Sequence, residues 1–186
     1  MHPWHDISAH KDTPSVCHAV VEIPKGSRAK YEIDKPTGLI RLDRVLRGSM
    51  MYPLHYGIIP QTLFDDGDPL DVMIITQVTV VPLTLINARI IGVMRMIDQG
   101  VPDDKILAVA EGDPSVSSIY DIGDVPQSLK LELKDFFENY TILEGKSVQV
   151  PEFLDKKSAF AKIEYARELY NQKFKQLVKA KKDEIR

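Results

Sequence analysis

Residues 19–23 read as a strand, polar and apolar side chains alternate through 28–34, and Lys35-Pro36-Thr37-Gly38 interrupts them before apolar positions resume over 39–46. A period of two is the signature of a strand with one buried face, and a Pro-Gly turn between two such runs predicts a hairpin. Further β-rich stretches fall at about 56–60, 71–81, 86–97, 105–110 and 147–150, separated by Gly, Pro and Asp clusters. Many short strands in succession suggest a barrel or a sandwich. The period changes late in the chain. Leu129, Leu133, Phe136, Phe137 and Tyr140 recur at helical steps after Pro126, a favourable first-turn residue. A second helix is expected over 157–180, with Phe160, Ile163, Tyr170, Phe174 and Leu177 on one stripe, Asp155 at its start and lysines at its end, as the helix dipole favours.

The chain has 186 residues, 44% of them hydrophobic, enough for one well-buried core and short for two, so residues 1–186 are read as a single domain. Its net charge of -3 gives no global attraction to nucleic acid or to anionic membranes. The lysines from Lys173 to Lys182 read as a solvated helix end rather than a nucleic-acid patch. Cys17, the only cysteine, can form no intrachain disulfide and reads as a small apolar filler. No apolar run approaches the roughly 18 residues of a membrane span, and the opening Met-His-Pro-Trp-His-Asp has no secretory pattern. The expectation is a cytoplasmic protein with no membrane partner.

Candidate chemistry concentrates in Asp66-Gly67-Asp68-Pro69-Leu70-Asp71-Val72, which places three carboxylates in six residues at the mouth of an apolar strand. Ionised carboxylates this close repel one another unless cations neutralise them, which points to hard ions such as Mg²⁺, Mn²⁺ or Ca²⁺. On spacing alone, an acidic surface turn accounts for the same residues equally well. Asp98, Asp103 and Asp104, followed by Lys105, form a second acidic cluster at strand ends. On the first hairpin Lys30, Glu32 and Asp34 share a face, and Arg44 returns on the partner strand, where a surface ion pair is the plainest role. Tyr52 and Tyr56 offer phenols that can donate to phosphate oxygens, though either could serve the core. Carboxylates that hold metals, beside cations and phenols that take phosphate charge, are the inventory of phosphoryl transfer by an activated water. No GxxxxGK[ST], GxGxxG, HExxH or GxSxG motif is present, and the EF-hand template fails at Leu70 and Asp71. The five histidines show no metal-cage spacing.

These residues resemble the soluble family I inorganic pyrophosphatases. Asp66 to Val72 looks like that family's signature, and its landmarks recur in order: Val21-Glu22-Ile23-Pro24, Lys30-Tyr31-Glu32-Ile33, Asp43-Arg44, Tyr52-Pro53, Tyr56-Gly57, Gly92-Val93, Asp98, Asp103, Lys105 and Phe136-Phe137-Glu138-Asn139-Tyr140. The resemblance covers roughly residues 18–150. It implies a mainly β (α+β) fold, a five-stranded twisted barrel of the OB type with flanking C-terminal helices. It also implies hydrolysis of pyrophosphate to two phosphates without a covalent intermediate, with several Mg²⁺ ions per site and Mn²⁺ as a substitute. By the same resemblance Asp66, Asp71, Asp98 and Asp103 are metal ligands, Glu22 and Glu32 are outer carboxylates, and Asp68 is the general base. Lys30, Arg44, Tyr56 and Tyr140, supported by Lys105 and Tyr52, bind substrate. Two positions depart from the family. Gln99 stands where many bacterial members have Glu, and Thr141 replaces a phosphate-contacting Lys, for which Lys146 is the nearest substitute. Asp135 and Asn139 stand where several hexameric members carry interface histidines, so a homo-oligomer is expected without a specified symmetry. The alternatives are a catalytically degenerate relative acting as a scaffold and an OB-type oligonucleotide-binding module.

Overall fold

The computed structural model describes residues 1–175. Its strands are β1 (Val16–Ile23), β2 (Ala29–Ile33), β3 (Ile40–Val45), β4 (His55–Ile58), β5 (Asp71–Ile75), β6 (Leu85–Met94), β7 (Ile97–Asp98), β8 (Val101–Pro102), β9 (Lys105–Ala110), β10 (Val148–Gln149) and β11 (Phe153–Leu154), with helices α1 (Gln127–Asn139) and α2 (Lys156–Lys173). Neighbouring strands run β1-β4-β5-β9-β6, and β6 pairs back onto β1, from Val16↔Arg89 to Val20↔Leu85. That last pairing closes a five-stranded barrel and removes its open edges. All contacts are antiparallel except β5 with β9, whose parallel register sets Val72 beside Ile106.

Both faces of the central strands are covered, which explains why they read as near-continuous apolar runs. Along β5 and β9, Met73, Ile75, Leu107 and Val109 pack with Leu133, Phe136 and Phe137 of α1. The alternate residues Val72, Ile74, Ile106 and Ala108 pack with Ala159, Ile163 and Ala166 of α2. Each large apolar side chain fully withdrawn from water contributes about 1.5–3 kcal/mol. The α2 stripe runs Ala159, Ile163, Ala166, Tyr170, and its start is capped by Asp155, whose carboxylate accepts from Ser158 N at 2.9 Å. Leu177 and the end of the lysine run lie outside the described residues.

The expected hairpin is β2–β3, α1 falls where the periodicity put it, and α2 starts where expected but ends at Lys173, with Phe174 at its C-cap, short of the expected 180. The stretch expected as strand over 71–81 ends at Ile75, because Thr76 and Gln77 turn to bond the Asp113 carboxylate at 2.6 and 2.8 Å. The stretch expected over 86–97 divides into β6 and β7. Gly57 sits where β4 crosses β1 so closely that a Cβ would lie 2.0 Å from the Val20 carbonyl oxygen. Cys17 is fully buried, and burial pushes its thiol up to about 12, the behaviour of a filler.

Candidate active site

One end of the barrel opens into a cleft of about 630 Å³ between the β2–β3 hairpin, the 66–71 loop, the β7–β9 connection and the end of α1. The parallel pairing of β5 and β9 places their first residues, Asp71 and Lys105, at the same barrel end. Lys105 is buried, and its Nζ donates at 2.5 Å to both Asp71 Oδ2 and Asp103 Oδ1. The loop before β5 is shaped by Gly67 at φ 87°, a conformation that favours glycine, and by Asp68 N donating to Asp66 Oδ1 at 2.9 Å. Across the cleft Lys30 pairs with Asp43 at 3.0 Å. Arg44 spans Asp43 at 2.7 Å and Glu144 at 3.0 Å. Arg41 bonds Glu32 at 2.5 Å, and Lys35 at the hairpin tip reaches Asp68 as an ion pair.

Burial dominates the electrostatics. It pushes the Glu22 carboxyl up to about 8, and repulsion from Asp71 adds to this. Burial likewise raises Asp66, and burial, with repulsion from Asp71, raises Asp103 against the opposing pull of Lys105. Burial opposes the charge on Lys105, yet Asp71 and Asp103 more than offset it and hold its ammonium above the usual lysine range. Tyr140 is pushed up to about 12 by burial, and burial also lifts Tyr52 and Tyr56 well above the phenol range. All three phenols are therefore donors at neutral pH.

All thirteen residues assigned from the sequence line this one cleft: Lys30, Arg44, Tyr52, Tyr56, Lys105 and Tyr140, the carboxylates Asp66, Asp68, Asp71, Asp98 and Asp103, and Glu22 and Glu32. Asp104, also noted in the acidic cluster, points elsewhere and ties Lys162 of α2 to the Met96 backbone. Thr141 and Lys146 are in the cleft as well; the Thr141 hydroxyl is buried with no hydrogen-bond partner among the described residues. Sequence reasoning missed Trp4, Lys35 and Arg41 as lining residues, and Glu144 as the partner of Arg44. The Glu32↔Arg41 register of the hairpin could have shown Arg41. No local signal shows Glu144, which lies 100 residues from Arg44.

The donors fit hard divalent ions. They are carboxylate oxygens, Asp98 Oδ1 is buried without a partner among the described residues, and Lys105 Nζ already stands as a cation between Asp71 and Asp103. Among the described residues no three acidic, histidine or cysteine side chains form a ready-made cage. Lys105 occupies the point where two of the carboxylates converge.

Comparison with known proteins agrees with this geometry. Residues 19–171 match the family described as inorganic pyrophosphatase. The soluble inorganic pyrophosphatase of Oryza sativa subsp. indica is 50% identical over 169 residues, covering 91% of this chain and 79% of that one. Soluble inorganic pyrophosphatase PPA1 of Solanum tuberosum is 48% identical over 169 residues, 91% of this chain and 80% of its own. Among solved structures, the inorganic pyrophosphatase of Thermus thermophilus superposes with a TM-score of 0.88 at 38% identity, covering 91% of this chain and 99% of the other. That of Helicobacter pylori gives 0.85 at 37%, covering 89% and 99%.

Proposed function

The chain belongs to the soluble family I inorganic pyrophosphatases, enzymes that hydrolyse pyrophosphate to two phosphates, and from that premise we propose a Mg²⁺-dependent reaction with the following division of labour. Asp66, Asp71, Asp98 and Asp103 hold the ions, with Glu22 and Glu32 behind them. What Mg²⁺ supplies when bound is positive charge against the phosphate oxygens and acidification of the attacking water; Mn²⁺ can stand in for it. Asp68 takes the proton of that water. Lys30 and Arg44 take charge on the phosphoryl groups, and Tyr56 and Tyr140 donate hydrogen bonds to their oxygens, with Tyr52 and Lys105 in support. For Lys30 and Arg44 this means exchanging carboxylate partners, Asp43 and Glu144, for phosphate. No side chain forms a bond to phosphorus.

The observation that carries this reading is the convergence of those carboxylates, cations and phenols from separate segments on one cleft. The same acidic lining works against the oligonucleotide-binding alternative, since a polyanionic strand would meet six aspartates. No helix among the described residues is long and apolar enough to cross a membrane. A homo-oligomer working in the cytoplasm completes the proposal.

Phosphate release from pyrophosphate should be fast with Mg²⁺, abolished by EDTA, and slow with ATP as substrate. Asp71→Asn should remove nearly all turnover. Turnover indifferent to EDTA, or near-wild-type turnover of Asp71→Asn at saturating Mg²⁺, would overturn the metal assignment.

A further inference from the structure

The segment preceding the barrel grips both walls of the cleft. Trp4 is the only tryptophan of the chain, is buried, and lines the cleft from behind. Its indole N–H donates to the Thr62 carbonyl at 2.7 Å. The Thr62 hydroxyl in turn accepts from the Leu70 N–H at 2.9 Å and donates to the Ile59 carbonyl at 2.6 Å. Leu70 immediately precedes Asp71, so one short chain of hydrogen bonds runs from the indole to the start of β5. The Trp4 carbonyl also accepts from Gln61 N at 2.9 Å, and Gln61 is a non-glycine residue at φ 54°. A left-handed conformation at such a residue persists only where its surroundings impose it.

On the opposite wall, His2 Nε2 bonds the Lys35 carbonyl at 2.8 Å, and the His2 and Pro3 side chains close against Gly38 on the same hairpin tip, leaving only 3.0 Å to a Cβ there. The tip then reaches back across the cleft through Lys35 to Asp68. The segment is itself anchored. Trp4 stacks on His5 and meets Phe174 edge-on, His5 Nδ1 pairs with the Tyr170 hydroxyl at 2.8 Å, and Gln61 Nε2 bonds the His5 carbonyl at 3.1 Å.

We propose that residues 2–5 are a positioning element of the active site: Trp4, acting through Thr62, sets the carboxylate loop that ends at Asp71, and His2 sets the hairpin that carries Lys30 and Arg44. This rests on the pyrophosphatase reading and extends it to residues that do not touch the reacting atoms. The two contacts act on different walls, so their loss separates into different constants. Groups that orient metal ligands from behind influence metal affinity far more than their own exposure suggests.

The test uses the full chain with Mg²⁺ titrated calorimetrically in the absence of pyrophosphate, beside steady-state kinetics and thermal unfolding. Trp4→Phe keeps an aromatic ring but loses the N–H donor, and Thr62→Val keeps the shape of Thr62 but loses the relay hydroxyl. Each should weaken Mg²⁺ binding about tenfold, and the double variant should be no worse than either single one. His2→Ala should leave Mg²⁺ binding unchanged and raise the KM for pyrophosphate about tenfold at saturating Mg²⁺. Additive losses in the double variant, Mg²⁺ affinity and KM moving together in every variant, or a drop in Tm alone would overturn the proposal. Should Trp4→Phe fail to fold, Thr62→Val and His2→Ala still decide between these outcomes. A wild-type protein that hydrolyses pyrophosphate beside variants identical to it refutes this inference alone, whereas a wild-type protein that binds no Mg²⁺ refutes the metal reading and this inference with it.

Discussion

Glu22 offers a direct reading of the electrostatic cost built into the cleft. Its side chain is 5% exposed, one oxygen accepts from the Ile33 N–H at 2.7 Å, and burial with Asp71 beside it lifts its pKa from 4.5 to about 8. Without metal, the folded protein holds a proton there that the unfolded chain has already released. Stability is therefore fully present below pH 4.5 and is lost as pH rises through 8, at about 1.4 kcal/mol per pH unit, with about 4 kcal/mol gone by pH 8. Glu22→Gln keeps an oxygen for the Ile33 N–H and has no charge to bury. Urea unfolding in EDTA between pH 5 and pH 8 should find the variant close to wild type at pH 5 and about 4 kcal/mol more stable at pH 8. Saturating Mg²⁺ should shrink the difference, because cations beside the carboxyl favour its ionised form. Two parallel stability curves across that range would refute the reasoning.

Other positions test the same balance. Lys105→Met leaves Asp71 and Asp103 facing each other unpaired and should cost about 3 kcal/mol in EDTA, partly recovered on adding Mg²⁺; a loss under about 1 kcal/mol by urea unfolding would contradict the ion-pair geometry. Gly57→Ala drives a methyl into the Val20 carbonyl and should cost at least about 3 kcal/mol, read as a large fall in Tm. Lys146→Ala, removing a cleft cation beside the position where Thr141 replaces a lysine, should raise the KM for pyrophosphate about tenfold with a smaller change in kcat, and an unchanged KM would discard the idea that Lys146 compensates.

Much of the fold was legible because its signals are local. The β2–β3 hairpin announces itself by alternation around a Pro-Gly turn, and α1 and α2 by apolar residues at helical steps with Pro126 and Asp155 at their starts. What failed were boundaries decided by distant partners. Val78 and Val81 look like a continuation of β5, yet they are 60% and 71% exposed because Asp113, more than thirty residues away, captures the chain at Thr76 and Gln77. The pairing of β1 with β6 that closes the barrel has no local mark either: the strand pattern left barrel and sandwich open, and the family resemblance implied the barrel without that pairing. The site divides in the same way. Asp66, Asp68 and Asp71 stand out by spacing, whereas Trp4 and Glu144 belong to the cleft through contacts that span much of the chain.

The three-dimensional arrangement also alters what Lys105 means. The resemblance gives it a supporting role toward substrate, but the parallel register of β5 and β9 buries its ammonium between Asp71 and Asp103. Lys35 on Asp68, and Lys30 and Arg44 on Asp43, repeat the pattern, so most of the acidic groups at this barrel end already have a basic partner, and Lys35 reaches its own from the opposite wall. A cluster of bare carboxylates here would repel itself and drive the hairpin from the barrel, and the cations prevent that. In the proposed reaction Lys30 and Arg44 would turn from Asp43 and Glu144 to the phosphates, and Asp66, Asp71, Asp98 and Asp103 would hold divalent ions whose charge adds to that of Lys105. Charge is exchanged rather than created in a partly buried cleft, which keeps the cost of binding a highly charged substrate low.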